Sequence, residues 1–292
     1  MNHHFAPQAY LRQWCNNDGH LIRYVRKGSA NALRLLHEFK TPRAICHQED
    51  INRLPERTSA NGLTEHGVES LLARAVDGRI QSIVKLAGAR TGPLDASSGD
   101  KVRWLMQMFT ARSPSSLQTG EEGVGAYVAE NAEFIQRLLA RAQTPRGRAE
   151  VGQFFKPQFP AVFVRANLAA LANTDAVPMQ GWYEGTVRVF QRSDNEATAL
   201  LNYLGLSEFP TSEAPVVEWE ENDVGLVASF SLSPDALAFV IQGNGTKDLE
   251  MASKHILVPM KYRESAICRS KASPTGPWHK EAQGLRPFTQ GR

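Results

Sequence analysis

The stretch Gly67–Gly88, GVESLLARAVDGRIQSIVKLAG, carries the strongest structural signal in this chain of 292 residues. Its apolar residues recur every three or four positions, which predicts one amphipathic helix with a continuous buried stripe. Asp77 lies beside that stripe, so we expect its carboxylate to be half buried and to need a cationic or hydrogen-bonding partner. The stretch therefore predicts a core helix with one acidic group at its margin.

The segment that follows predicts a second helix over residues 100–112, DKVRWLMQMFTAR, with Asp100 as its N-cap. It should end near Arg112, because Ser113 precedes a proline and is disfavoured in the helical region. Arg112 is then the expected partner of Asp77. The pair has two interpretations: a structural ion pair, or an arginine free to clamp a phosphate or carboxylate with its planar fork.

Further along, residues 119–127, TGEEGVGAY, contain three glycines without the spacing of a phosphate loop, and they predict a flexible connection. Helices are predicted over residues 126–142, with Phe134, Ile135, Leu138 and Leu139 facing inward, and from residue 159 to a stop before Pro178. The middle of the chain is therefore expected to be helical.

Both ends of the chain read as β-structure. Residues 20–27 alternate as a strand does, and four short segments rich in β-branched and aromatic residues follow the helices: GTVRVFQR, APVVEW, GLVASFSL and LAFVIQ. The expected fold class is α+β, a helical middle packed on a small, mainly antiparallel sheet built from N-terminal and C-terminal strands. Residues 1–265 are expected to form one domain, and residues 266–292 a loosely ordered C-terminal tail.

The N-terminal segment NHHFAPQAYLRQW places two histidines, a proline and a tyrosine where most chains fray. Pro7 suits the first turn of a short helix that would bring Tyr10 and Trp14 to one side. We therefore expect this segment to be clamped into the folded body. His3 and His4 are adjacent and diverge in either a strand or a helix, so at most one of them could join a shared site.

Composition narrows the class of protein. The net charge is only +3, but 23 arginines stand against 10 lysines, which favours an anionic partner, nucleic acid among the candidates. A GC-rich genome would give the same excess of arginine. Three scattered cysteines, the lack of a signal peptide and the lack of a long apolar run predict a cytoplasmic protein with no membrane contact.

Several of these segments resemble a bacterial family known only as domain of unknown function 4238. The resemblance rests on the N-terminal segment, the central helix, FTARSPSS (109–116), FPTSEAPVV (209–217) and FSLSPDALAFVIQ (230–242). Glu213 stands where that family carries an aspartate, Ala214 where it carries an asparagine, and Ser231 where it carries a proline. The resemblance implies a fold and a compartment, and it supplies no reaction.

Two functional hypotheses follow. In the first, the protein is an enzyme acting on a phosphate-bearing substrate such as nucleic acid in a defence or toxin setting, and is therefore a nuclease or other hydrolase. His3 or His4 would act as base or ligand, Asp77 and Glu213 as acids or ligands of a divalent metal, and Arg112 as the anion clamp. In the second, the protein is a non-enzymatic sensor or interaction module whose polar residues are structural. The enzyme requires these residues around one open cleft, whereas the module predicts that they are dispersed or sealed.

Overall fold

The computed structural model describes residues 2–4, 6–27, 34–54, 66–173, 185–221, 225–241, 252, 254–256, 265–273 and 277–278. Its helices are α1 (Gln8–Leu11), α2 (Gly67–Leu72), α3 (Gly78–Gly88), α4 (Ala96–Ala111), α5 (Pro114–Glu130), α6 (Ala132–Arg141), α7 (Pro145–Gly152), α8 (Phe159–Asn173) and α9 (Asn195–Leu204). Its strands are β1 (Asn2–His4), β2 (Leu21–Lys27), β3 (Arg34–Lys40), β4 (His47–Glu49), β5 (Gly92–Pro93), β6 (Thr186–Gln191), β7 (Val216–Glu221), β8 (Gly225–Ser233), β9 (Ala236–Ile241) and β10 (Ser265–Cys268).

The strands form three antiparallel sheets, with the orders β5-β6-β9-β8-β7, β10-β2-β3 and β1-β4. One face of the five-stranded sheet packs on α3 and α4, and its other face contributes to a second core with α9 and the three-stranded sheet. Every residue of β9 is buried, as expected for a central strand covered on both faces. The α+β class and the use of strands from both ends are confirmed.

The central helix runs through Gly67–Gly88 as predicted, with one irregularity. Residues Ala73–Asp77 form a π turn between α2 and α3, and such turns place an extra residue in a helix. The predicted stripe is buried on both sides of this turn: Val68, Leu71, Leu72, Val76, Ile80, Ile83, Val84 and Ala87. Asp77 is the last residue of the π turn, which fixes where its carboxylate leaves the helix.

The N-terminal segment is clamped into the body from Ala6 onward, as expected. Tyr10 and Trp14 are fully buried, and the Tyr10 ring packs against Phe109 and Phe230 at centroid distances of 4.8 and 5.2 Å. The Trp14 indole donates a hydrogen bond of 3.0 Å to the carbonyl oxygen of Phe209. These contacts hold α1 between the helical layer and the sheet.

The flexible connection predicted at residues 119–127 is wrong, because these residues belong to α5. Ser113 caps this helix and Pro114 occupies its first turn. Both features stabilise the start of the helix and offset the low helix propensity of the glycines. At Gly120 a Cβ atom would lie 3.3 and 3.4 Å from the two Val164 methyl groups. Glycine there lets α5 approach α8 closely, which is a packing role that sequence spacing does not reveal.

Two finer predictions about the helices are also wrong. The helix predicted to begin at Asp100 begins at Ala96, because Asp95 is the residue whose carboxylate accepts the Ser98 amide hydrogen at 2.9 Å. Phe134 and Leu138 were expected to face inward, but they are 53% and 42% exposed. Only Ile135 of α6 is buried, and the helix packs mainly on its sequence neighbours α5 and α7.

The C-terminal strand β10 crosses the domain boundary predicted between residues 265 and 266. Its partner is β2, and Ile267 also forms a β-bridge with Thr211. Beyond the strand, the buried carboxylate of Glu208 accepts hydrogen bonds from the backbone N–H groups of Arg269 and Ser270. Residues 274–276 and 279–292 of the predicted tail lie outside the described residues, and the division into domain and tail stays a prediction. No helix in the described ranges has the length and apolarity needed to span a bilayer.

Candidate functional site

Asp77 and Arg112 form the ion pair that the sequence predicted. The Arg112 Nη1 atom lies 3.1 Å from Asp77 Oδ1, and the two side chains are 1% and 29% exposed. Burial raises the pKa of Asp77 above its ordinary value, against the opposing attraction of Arg112, and the nearby Glu69 adds to the rise. Arg112 is buried at the end of α4 and forms the ion pair that was one of its two interpretations, while its role as an anion clamp stays a prediction.

Glu213 has a different cationic partner. Its carboxylate binds the Arg23 guanidinium of β2, and both side chains are partly exposed. Cys46 lies close to this pair: burial raises the pKa of its thiol well above the ordinary range, Glu213 raises it further, and Arg23 lowers it. The Arg23–Glu213 pair therefore ties the turn before β7 to the three-stranded sheet.

For His3 and His4 the structure describes the backbone alone. In strand β1 these residues pair with Gln48 and His47 of β4, respectively. Their side chains lie outside the described part of the chain, so their roles as base or ligand stay predictions.

Of the predicted catalytic residues, Asp77 and Arg112 belong to one ion pair and Glu213 to another. The described residues that line the α9 cavity, the α3–α4 groove, the α5–α8 cavity and the cavity before β7 do not include Asp77, Arg112 or Glu213. Within the described ranges, no group of three or more His, Cys, Asp or Glu side chains could hold a metal ion. The described residues therefore offer no assembled metal centre for the predicted divalent cation.

A buried polar network that sequence reasoning missed lies at the centre of the fold. The Tyr10 hydroxyl donates to the carbonyl oxygen of Ser231 at 2.7 Å, and it lies 2.7 Å from the Thr211 hydroxyl. The Ser231 hydroxyl donates its hydrogen to the carbonyl oxygen of Pro210. Its oxygen therefore accepts a hydrogen from His255 Nε2, which lies 2.8 Å away. Burial raises the pKa of Tyr10 well above its ordinary value, so the phenol stays protonated.

The His255 ring is held on both sides by serines of strand β8. Its Nδ1 atom lies 2.6 Å from the Ser229 hydroxyl, and Ser229 and Ser231 are fully buried. The signal for this network was present in the sequence, because hydroxyls two residues apart in a strand share a face. Its partner, one of eight histidines, lies more than twenty residues away and carried no local signal.

The best candidate for a ligand site is a polar cavity of about 290 Å³ between the α4–α5 corner and the turn before β7. We call it the serine cavity. Its lining residues are Phe109, Thr110, Ser113, Ser115, Ser116, Ala214, Pro215, Val216 and Glu218. Two of the segments that carried the family resemblance, 109–116 and 209–217, thus meet at one cavity.

The first turn of α5 gives this cavity its chemistry. Ser113 is the N-cap, and its hydroxyl oxygen accepts the Ser116 amide hydrogen at 3.2 Å and donates to the Ser116 hydroxyl at 2.8 Å. The start of a long helix carries partial positive charge from its unpaired amide groups. Glu218 supplies the carboxylate of the wall. Pro114 has no N–H, and the amides of Ser116 and Leu117 are already bonded to Ser113, so the cavity offers mainly hydroxyl groups at the positive end of a 17-residue helix.

Comparison with known proteins assigns the chain to a family. Residues 2–177, more than half of the chain, match the family described as protein of unknown function (DUF4238), so the chain belongs to this family. No curated protein and no solved structure matches it.

Proposed function

We propose that this DUF4238 protein binds a phosphate-bearing ligand in the serine cavity. The observation that carries the proposal is the convergence of hydroxyl groups with the N-terminus of α5 on one cavity. The dipole of a helix favours an anion at its N-terminus, and hydroxyl groups supply hydrogen-bond donors to a phosphate. The excess of arginine over lysine supports the same anionic class of ligand.

The two ion pairs position the walls of this cavity. Arg112 lies between Thr110 and Ser113, so its bond to Asp77 fixes the α4–α5 corner on the central helix. Glu213 precedes Ala214, so its bond to Arg23 fixes the opposite wall on the three-stranded sheet. Asp77, Arg112 and Glu213 thus serve as positioning residues in this proposal.

The size and charge of the cavity restrict the ligand. Its volume of about 290 Å³ is at the lower end for small-molecule sites, so it accepts a phosphate group while the rest of the ligand extends outward. Glu218 disfavours a fully ionised phosphate but accepts a hydrogen bond from a singly protonated one. We therefore expect binding to weaken as the pH rises through about 6, where a phosphate monoester loses its second proton.

Calorimetric titration with AMP, and with adenosine as the matched ligand without phosphate, tests the proposal. AMP should bind and adenosine should not. Ser115→Asp places a carboxylate in the first helical turn, where acidic residues stabilise helices, so the variant should fold at least as well as the parent while losing AMP binding. Ser70→Ala, at an exposed serine in the first turn of α2, serves as the control. Equal AMP affinity for the parent and Ser115→Asp would refute the proposal.

A non-enzymatic sensor is favoured over an enzyme by the sealed state of Arg112. The enzymatic form keeps His3 or His4 as base, uses a divalent metal and cleaves nucleic acid in a bacterial defence or toxin setting. Incubation of labelled RNA and DNA with the protein and Mg²⁺ or Mn²⁺ separates the two forms. Cleavage that is lost in His4→Ala would establish the enzyme, whereas AMP binding without cleavage supports the sensor. The free state of Cys15, Cys46 and Cys268 fits a cytoplasmic location for either.

A further inference from the structure

We infer that the exposed side of α6 binds single-stranded nucleic acid, with aromatic rings that stack on bases and arginines that contact phosphates. The binding surface, which we call the α6 face, consists of Phe134, Arg137, Leu138 and Arg141. Their spacing of three, four and seven positions places them on one side of the helix, and all four are exposed. The α6 face shares no residue with the serine cavity, so the inference does not depend on the proposed function.

A second exposed ring, that of Tyr127 near the end of α5, lies on the same side. The Asn131 amide donates a hydrogen bond of 3.1 Å to the carbonyl oxygen of Tyr127, and the Ile135 amide donates one of 3.0 Å to that of Asn131. Helical hydrogen bonding therefore continues from α5 into α6. Tyr127 precedes Phe134 by seven residues, which is about two turns and about 10 Å along the helix. Because Tyr127 is 63% exposed, the protein presents two rings to which separate bases could stack.

Arginine supplies the positive charge of this region. Together α6 and α7 carry four arginines, two glutamates and no lysine. Arg146 is bound to Glu150 at 2.8 Å, and once this pair is set aside three arginines remain against one glutamate. Such an excess favours an anionic partner, and a guanidinium group can both bind a phosphate with two N–H groups and stack on a planar ring.

The order of residues along the α6 face favours nucleic acid over an anionic membrane. A helix that lies in a membrane surface separates its apolar side from its basic side. Here the two arginines alternate with Phe134 and Leu138 on the exposed side, while the buried side is marked by Ile135. Rings next to guanidinium groups complement the bases and phosphates of a single strand, whereas the bases of a duplex are already stacked on one another.

Fluorescence anisotropy on the intact protein tests the inference with oligomers of uridine and of deoxyuridine, each about twelve nucleotides long. The oligomers lack terminal phosphates, so they contain no phosphate monoester for the serine cavity. Both should bind, and more weakly as the salt concentration rises. A duplex of the deoxyuridine oligomer with its complement should bind at least about tenfold more weakly. A preference for uridine or for deoxyuridine would identify RNA or DNA as the natural ligand.

Variants of the α6 face separate stacking from charge. Phe134→Leu keeps an apolar side chain but removes the ring, so it should weaken single-strand binding about tenfold, whereas Phe134→Tyr should retain the affinity. Arg141→Gln should lower the slope of log affinity against log salt by about 0.7, the value for one phosphate contact on a single strand. The matched controls are Tyr203→Leu, at an exposed ring of α9, and Arg43→Gln, at an exposed arginine, and both should bind as the parent does.

The outcomes also distinguish this surface from the serine cavity and from a membrane site. Ser115→Asp should bind the oligomers as the parent does, so AMP binding and oligomer binding can fail independently. The inference is overturned if the parent binds neither single strand, if it binds the duplex as tightly, or if Phe134→Leu keeps the parent affinity. Binding to phosphatidylserine vesicles without binding to either oligomer would assign the α6 face to a membrane surface and overturn the inference as well.

Discussion

The Tyr10 hydroxyl offers the sharpest test of how the N-terminal segment is held. Tyr10→Phe removes this hydroxyl and keeps the ring, so packing against Phe109 and Phe230 is retained. Two hydrogen bonds of 2.7 Å are lost, and the carbonyl oxygen of Ser231 loses this buried donor. At about 1 kcal/mol for each buried hydrogen bond, the free energy of unfolding should fall by about 2 kcal/mol. For a chain of this size that corresponds to a decrease in Tm of roughly 4–8 °C.

Calorimetry or circular dichroism on the purified protein measures this decrease in Tm. Tyr203→Phe is the matched control. Tyr203 is 70% exposed, so the Tm of this variant should equal that of the parent. A double-mutant cycle with Thr211→Val should give a coupling energy of about 1 kcal/mol, as expected for residues in direct contact. The reasoning fails if Tyr10→Phe melts within 1 °C of Tyr203→Phe, a margin of about 0.3–0.5 kcal/mol.

Two further predictions concern the helices. Gly123→Ala should raise the free energy of unfolding by about 1 kcal/mol, because alanine is the better helix former and no atom lies within 4 Å of the added Cβ. Gly120→Ala should lose this gain by contact with Val164, so equal denaturation midpoints for both variants would contradict the account of α5–α8 packing. At the start of α4, hydrogen bonds from the Ser98 amide and hydroxyl lower the pKa of Asp95. Its stabilising effect is therefore present above the ordinary pKa of 3.8 and is lost as the pH falls through the lower folded-state pKa. The Tm difference between the parent and Asp95→Ala should shrink in acid, and Asp95→Asn should remove that pH dependence.

Local patterns predicted the architecture well, for physical reasons that can be named. The stripe along Gly67–Gly88 identified the central helix because burial on one face imposes its period on the sequence. The helix end at Arg112 followed from the steric effect of a proline on the residue before it. By contrast, the glycines of α5 led to a wrong prediction of a flexible connection. Glycine has a low helix propensity, but at Gly120 the close packing of α5 on Val164 stabilises the helix. Periodicity also assigned Phe134 and Leu138 to the core, since it marks an apolar face without showing what covers that face.

The candidate site was predictable in part. The Asp77–Arg112 pair followed from one half-buried acid and one arginine at the next helix end. The partner of Glu213 did not, because Arg23 lies 190 residues away in the chain and meets it only through the order of the strands. The hydrogen-bond network around His255 was not predicted for the same reason, because its members lie far apart in the chain. Sequence reasoning finds residues that can do chemistry, but long-range pairing decides which of them are already satisfied.

The position of the serine cavity follows from this distinction. A sealed ion pair is rigid because separating it would leave a buried charge without its partner, which commonly costs about 3–5 kcal/mol. Asp77 and Arg112 therefore hold the α4–α5 corner in place, and the first turn of α5 begins immediately after that corner. Arg112 is bound to Asp77 within the pair, whereas hydroxyl groups of the next turn line a cavity. The polar groups available to a ligand thus lie in the first turn of α5, one helical turn beyond Arg112, which the sequence marked as a site residue.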